Sequence, residues 1–239
     1  MSLDYFKECE RVLFMIEELE LLTNPKSRVA EAVKTIRTNL EFSSADGENK
    51  KIMLTSTAPG EGKSFITACL AQSYAVNGKK VLIIDCDLRR GRQYEIFGVS
   101  NNKGLSNVLI SDLDGVKIQT IKTKLPGVYL LPGGTVPPNP SELLESKKME
   151  DVVKMLESDY DIILFDCPPV IGLSDPLIIT KYVDTTVIVT AYKSTPVELL
   201  KKTVKSLEAV NAKVAGVIFN KVPSTGNGYY SKYYDSYYG

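Results

Sequence analysis

Residues 51–64 read K-I-M-L-T-S-T-A-P-G-E-G-K-S. The first six have the β-branched and apolar content of a short buried strand. From residue 65 to 77 the apolar spacing becomes helical. A strand, a glycine-containing loop, Lys-Ser and a helix, in that order, are the context of a phosphate-binding P-loop. Gly60 and Gly62 lack Cβ atoms, so backbone N–H groups can approach an anion. The unpaired N–H groups at the helix start add positive potential. Ala58, Pro59, Gly60, Glu61, Gly62, Lys63, Ser64 and Phe65 would line the nucleotide phosphates, with Lys63 reaching the β- and γ-phosphates and the Ser64 hydroxyl binding Mg²⁺. Thr57 stands where G-x-x-x-x-G-K-[ST] usually has its first glycine.

Working outward, strands and helices alternate. Residues 80–86 (K-V-L-I-I-D-C) and 161–166 (D-I-I-L-F-D) are near-continuous apolar runs, as expected of strands buried on both faces. Val128–Leu131, Thr185–Ala191 and Val214–Asn220 complete the strands, and helices are expected over 140–157, 175–182 and 196–210. Repeated βα units predict an α/β protein with a doubly wound, mainly parallel sheet flanked by helices. Before the P-loop, residues 2–22 read as one helix. Arg28–Phe42 reads as a second, capped by Ser27, with Val33, Ile36 and Leu40 inward. Glu31, Lys34 and Arg37 are three apart and share a face, either a solvated stripe or an assembly surface.

Composition narrows the chemistry. The 239 residues fit one large domain, and 44% apolar content supports a sizeable core. Lys+Arg and Asp+Glu balance at 29 each, so no global field favours nucleic acid. There is no histidine, which excludes Ser-His-Asp chemistry, His-ligated zinc and an imidazole base. Cys9, Cys69, Cys86 and Cys167 show no C-x-x-C spacing, and isolated thiols suit a reducing cytosol. No apolar run reaches the ~20 residues of a membrane span, and no secretory signal is recognisable, so a soluble cytoplasmic protein without direct membrane insertion is expected.

In a doubly wound sheet, ligands bind beyond the carboxyl ends of the strands. Asp85 and Asp87 close one strand and Asp166 closes another. An Asp in that position of a P-loop fold holds Mg²⁺ directly or through water, so Ser64, Asp85, Asp87 and Asp166 are the metal candidates. Lys63, Asp85, Asp87 and Arg89 are the catalytic candidates. One carboxylate can accept the proton of an incoming hydroxyl while the others hold metal, and Arg89 can neutralise phosphate charge. Residues 223–239 contain no Leu, Ile, Val, Met or Phe but hold six of the chain's 13 tyrosines: Tyr229, Tyr230, Tyr233, Tyr234, Tyr237 and Tyr238. Such a segment buries too little aliphatic surface to offset its ordering entropy, which predicts a flexible tail after a domain spanning residues 1–222, with a helical segment over 1–49.

A-P-G-E-G-K-S, I-I-D-C-D-L-R-R, I-L-F-D-C-P-P, G-G-T-V-P-P-N-P-S-E-L-L and the terminal tyrosine cluster together resemble the bacterial tyrosine kinases, in particular the cytoplasmic kinase subunit of Gram-positive capsule or exopolysaccharide systems. The resemblance extends from about residue 25 onward. It implies a P-loop kinase that uses ATP and Mg²⁺ and phosphorylates its own C-terminal tyrosines. It implies roles for Lys63 and Ser64 in the first phosphate motif, Asp85 and Asp87 in a second, Asp166 in the metal motif and Asn220 near the adenine. It further implies a homo-oligomeric ring built through Glu31, Lys34 and Arg37, and a separate membrane activator that recruits the kinase to the inner face of the plasma membrane. Lys34 stands where the family has arginine, and an ammonium cannot make the bidentate fork of a guanidinium. A switch ATPase of the partitioning and division-site group is the alternative. Those proteins carry a second lysine early in the loop, at the position of Ala58 here.

Overall fold

A computed structural model of the chain describes residues 28–43, 49–111 and 120–223. The helix expected over residues 2–22, Ser27, Cys9 and the six tail tyrosines lie outside the described residues.

Among the described residues seven strands form one sheet, in the order β3-β4-β2-β5-β1-β6-β7. These are β1 (Lys51–Ser56), β2 (Val81–Asp85), β3 (Ile121–Lys122), β4 (Val128–Leu131), β5 (Ile162–Asp166), β6 (Thr185–Ala191) and β7 (Val214–Asn220). All neighbours run parallel except the short edge strand β3 against β4. The run character of the central strands follows from burial on both sides. Ile52, Leu54, Val81, Ile83, Ile162, Leu164, Val187 and Val189 face one core, and Met53, Leu82, Ile84, Ile163, Phe165 and Ile188 face the other. The period of two splits each strand between the two layers.

The first layer holds α1 (Arg28–Phe42) and α2 (Lys63–Val76). On α1, Val33 and Leu40 are buried and Ile36 packs partly against them, as the spacing predicts. The second layer includes α4 (Leu105–Ile110), α5 (Pro140–Glu145), α6 (Lys147–Glu157) and α8 (Val197–Glu208). The five-residue helices α3 (Gln93–Phe97) and α7 (Asp175–Ile179) lie in the connections after β2 and β5.

The helix expected over 140–157 is broken at Ser146, whose extended backbone (φ −66°, ψ 154°) ends α5 and whose hydroxyl accepts from Met149 N to start α6. A serine offered an N-cap takes it in preference to a helix interior. The helix expected over 175–182 finishes as a 3₁₀ turn at Thr180–Tyr182. Helices α3 and α4 and strand β3 have no counterpart in the sequence reading, because two to six residues are too few to establish a period.

Register decides what meets at the carboxyl edge. Asp85 of β2 pairs with Asp166 of β5, and Asp166 pairs with Leu54 of β1. Two acidic strand ends therefore sit beside the loop that follows β1.

Candidate active site

The loop after β1 turns through left-handed backbone at Gly60 (φ 79°) and Gly62 (φ 90°) before α2 begins at Lys63. A Cβ on Gly62 would lie 2.1 Å from Asn220 Nδ2, so a side chain here would displace that amide, and the left-handed dihedral itself favours glycine. Asn220 Nδ2 donates to the Glu61 carbonyl at 2.9 Å, and Lys221 Nζ to the Gly60 carbonyl at 2.7 Å. The residue placed near an adenine by resemblance thus also braces the loop from the end of β7.

Glu61 does not point toward the loop's mouth. Its carboxylate is buried and accepts from Ala58 N (2.7 Å), Thr190 Oγ1 (3.0 Å), Ala191 N (3.3 Å) and Thr195 Oγ1. It ties the loop to the end of β6. Thr57, at the missing-glycine position, is fully buried and accepts a hydrogen bond from Thr203 of α8 at 3.2 Å. Ala58, Pro59 and Gly60 are partly or fully exposed at the loop's crest, and Phe65 packs partly into the core beneath.

Lys63 lies among carboxylates. Its Nζ is 3.3 Å from Asp166 Oδ1, 3.5 Å from Asp87 Oδ2 and 3.3 Å from Ser64 Oγ. Burial opposes its charge, but Asp166, Asp87 and Asp85 outweigh that and hold the ammonium above the usual lysine range. Asp85 is fully buried. Its oxygens accept from Asp87 N (3.2 Å) and Gln93 N (3.1 Å), and a Cβ on Gly91 would fall 2.5 Å from Oδ2. Burial, with the Asp166 charge adding to it, pushes the Asp85 carboxyl up to about 8, against the pull of Lys63. Asp87 is slightly more open, with Oδ1 taken by Arg90 N at 2.9 Å and Oδ2 turned to Lys63.

The geometry adds residues the sequence did not single out. Gln93 is fully buried, and its Nε2 donates to Asp166 Oδ2 (2.8 Å) and to the Ser64 carbonyl (3.0 Å). Arg89 is tethered by Nε to buried Asp175 (2.9 Å) and by Nη2 to Ser141 Oγ (3.2 Å). That contact draws Ser141 at the start of α5 and Asp175 at the start of α7 to the turn that follows Asp87. Cys86 and Cys167 follow the two site carboxylates and are fully buried. Burial and the neighbouring Cys86 push the Cys167 thiol up, which fits small strand-end residues.

A nucleotide with Mg²⁺ fits these residues. The Lys63–Ser64 helix start offers N–H groups and an ammonium to phosphate, and three carboxylates face a single ammonium. Among the described residues no group of three or more acidic or thiol side chains forms a metal cage by itself. The candidates Ser64, Asp85, Asp87 and Asp166 would hold an ion together with phosphate and water. Mg²⁺ characteristically takes one or two protein ligands and completes its shell with phosphate and water. Glu31 and Lys34 are paired on α1 (3.5 Å), while Arg37 turns inward and donates to the Ser73 carbonyl of α2 at 2.7 Å.

This fold and loop define a P-loop nucleoside-triphosphate-binding protein. A family model for the AAA domain matches residues 49–216. The chain is 39% identical over 201 residues to the tyrosine-protein kinase YwqD of Bacillus subtilis, covering 83% of this chain and 84% of that one. The chain belongs to the bacterial tyrosine-protein kinase family, and its enzyme class is that of the protein-tyrosine kinases. It is 33% identical over 220 residues to the tyrosine-protein kinase wzc of Salmonella typhimurium, covering 92% of this chain but only 30% of that longer one. Among solved structures it resembles the chimerical protein CapA2B2 (35% identity, TM-score 0.80, 87% of this chain and 91% of that one). It also resembles the kinase domain of Escherichia coli tyrosine kinase ETK (33%, 0.78, 88% and 84%). The septum site-determining protein MinD of Pyrococcus horikoshii, at 24% identity and TM-score 0.59, shares the fold alone. No helix among the described residues is long and apolar enough to cross a membrane.

Proposed function

We propose that the chain is an ATP-dependent tyrosine autokinase that phosphorylates Tyr229, Tyr230, Tyr233, Tyr234, Tyr237 and Tyr238 of a neighbouring copy, and that it regulates capsular or extracellular polysaccharide synthesis and export. The observation that carries this reading is Lys63 at the P-loop helix start, within 3.5 Å of both Asp166 and Asp87. Bound Mg²⁺ would supply charge neutralisation for the nucleotide phosphates. Ser64 and the strand-end carboxylates would hold that ion, and Lys63 would hold the phosphates. Asp85 and Asp87 compete for the tyrosine proton. Asp85 is fully buried with its carboxyl raised by that burial, and Asp87 has the better access and an oxygen already turned to Lys63. A carboxylate needs only to accept the hydrogen bond of a phenol whose ordinary pKa is near 10.

The ring assembly proposed through Glu31, Lys34 and Arg37 rests on the exposed Glu31–Lys34 pair, since Arg37 is engaged within its own chain. Each tail phosphate adds about −1.5 to −2 charge, so repulsion favours release of a packed assembly. A membrane partner would recruit and activate the kinase.

The test is incubation with γ-labelled ATP and Mg²⁺, with the partner's cytoplasmic segment present. Label on tyrosine that is lost in Lys63→Met and in a chain ending at residue 222 is expected. Phosphate release without labelled protein would transfer the site to hydrolysis and overturn the kinase reading.

A further inference from the structure

Gln93 has no assigned role, yet it touches both sides of the site. Its backbone N–H donates to Asp85 Oδ2 at 3.1 Å, and its Nε2 donates to Asp166 Oδ2 at 2.8 Å and to the Ser64 carbonyl at 3.0 Å. Both partners of the side chain are pure acceptors, so the amide has only one orientation: nitrogen toward Asp166 and Ser64. The carbonyl oxygen is then forced to the other side. Gln93 is 0% exposed, and Oε1 is buried without a hydrogen-bond partner. A buried acceptor left open is uncommon and calls for a donor that the protein itself does not provide.

The position narrows what the donor is. Ser64 and Asp166 are the two residue types that hold a divalent cation in P-loop folds, one by hydroxyl and one through carboxylate. Gln93 bridges these two residues through its amide nitrogen and carries an open acceptor on the same amide. Water bound to a divalent cation is a strong donor, and Mg²⁺ keeps several waters in such sites. A second acceptor for those waters fixes their orientation, as outer contacts do at other metal centres.

We propose that Gln93 is a positioning residue for the metal: its amide nitrogen locks Asp166 against the start of α2, and its carbonyl oxygen accepts from a water in the hydration shell of the bound divalent ion. The inference rests on the reading of this site as a nucleotide–metal site. It gives the 85–93 turn a task beyond carrying Asp85 and Asp87, because α3 begins at the residue that spans the two acidic strands.

The experiment titrates Mn²⁺ into the ADP-loaded full chain and follows free Mn²⁺ by electron paramagnetic resonance, alongside ADP affinity measured in chelator. In Gln93→Met, Mn²⁺ affinity falls about tenfold or more, the range seen when an outer contact is lost, while ADP affinity in chelator is unchanged. Gln93→Glu keeps an acceptor oxygen there and binds Mn²⁺ at least tenfold more tightly than Gln93→Met. If Gln93→Met loses ADP binding in chelator, and so has not folded, Gln93→Asn is read in its place, with the same loss expected because its amide is withdrawn by one methylene. Mn²⁺ affinity within twofold of the unsubstituted chain, or Glu and Met variants equally weak, overturns the role of Gln93 alone. Absence of metal-dependent ADP binding in the unsubstituted chain overturns the site reading and this inference together.

Discussion

Replacing Glu61 by Gln tests whether the loop is held from behind. The substitution preserves shape and removes one acceptor oxygen. In the native chain Oε2 accepts from Ala58 N at 2.7 Å, and Oε1 accepts from Ala191 N at 3.3 Å and from the hydroxyls of Thr190 and Thr195. The hydroxyls can turn and donate elsewhere, but the two backbone N–H groups cannot. Whichever way the new amide is placed, its NH₂ faces one of them. One buried donor is then orphaned, which costs about 1–3 kcal/mol, and the surviving bonds lose their charged acceptor. The expected loss is about 2–4 kcal/mol. For a chain of this length that lowers Tm by on the order of 10 °C. Glu61→Ala, which orphans donors on both sides of the carboxylate, should cost more.

The assay is thermal melting of nucleotide-free protein, followed by nucleotide affinity below the transition. A carboxylate directed at ligand would give the opposite pattern: unchanged melting and weakened nucleotide binding. A Gln variant that melts within about 1 °C of the unsubstituted chain would refute the clamp.

Four other substitutions test the geometry. Gly62→Ala places a Cβ in left-handed backbone and against Asn220, so calorimetry should show a loss of about 1–3 kcal/mol together with weakened nucleotide binding; a neutral outcome would mean that Asn220 does not brace the loop. Because Asp85 is raised to about 8, the metal-free fold retains a proton between roughly pH 4 and 8 that the unfolded chain has released, so this group's stability contribution, full below that window, is lost as pH rises through it. Asp85→Asn lacks that titration, and its urea-denaturation free energy should gain on the unsubstituted chain from pH 5 to 8.5; a constant difference would contradict the raised carboxyl. Arg37→Ala removes the bond to the Ser73 carbonyl and should destabilise by about 1–2 kcal/mol, whereas Lys34→Ala, on an exposed pair, should change stability by under about 0.5 kcal/mol but reduce the assembly mass in light scattering.

What the sequence could disclose was whatever repeats or ends a long pattern. The central strands were legible because burial on two faces leaves uninterrupted apolar runs, and Asp85 and Asp166 were legible as the charges that end them. Their adjacency was not, because register is set by pairing between β2 and β5, and neither run contains it. Glu61 was assigned to nucleotide by its place in the loop; its side chain turns inward because buried donors of β6 and of the following turn await it, and these lie some 130 residues away. Gln93 offered no signal at all, since a five-residue helix has no period and glutamine is ordinary on a surface. Arg37 shared a face with Glu31 and Lys34 by spacing, yet a long guanidinium reached the neighbouring helix instead.

The site is braced on two sides. Glu61, Asn220, Lys221 and Thr203 fasten the loop to β6, β7 and α8. Gln93 and Lys63 fasten the helix start to Asp166, and Gln93 also to Asp85. Between these braces, three acidic side chains face one ammonium, so the site carries more negative than positive charge before any ligand arrives. A triphosphate would add further negative charge to a buried, low-dielectric space, where unpaired like charges are costly. Burial and the neighbouring Asp166 charge raise the Asp85 carboxyl, which relieves part of this by favouring its neutral form. A divalent cation held by Ser64 and these carboxylates would offset the rest. The edge where Ser64, Asp85, Asp87 and Asp166 meet is therefore where these residues would hold a divalent cation, and the charge such an ion would supply is the charge this site lacks.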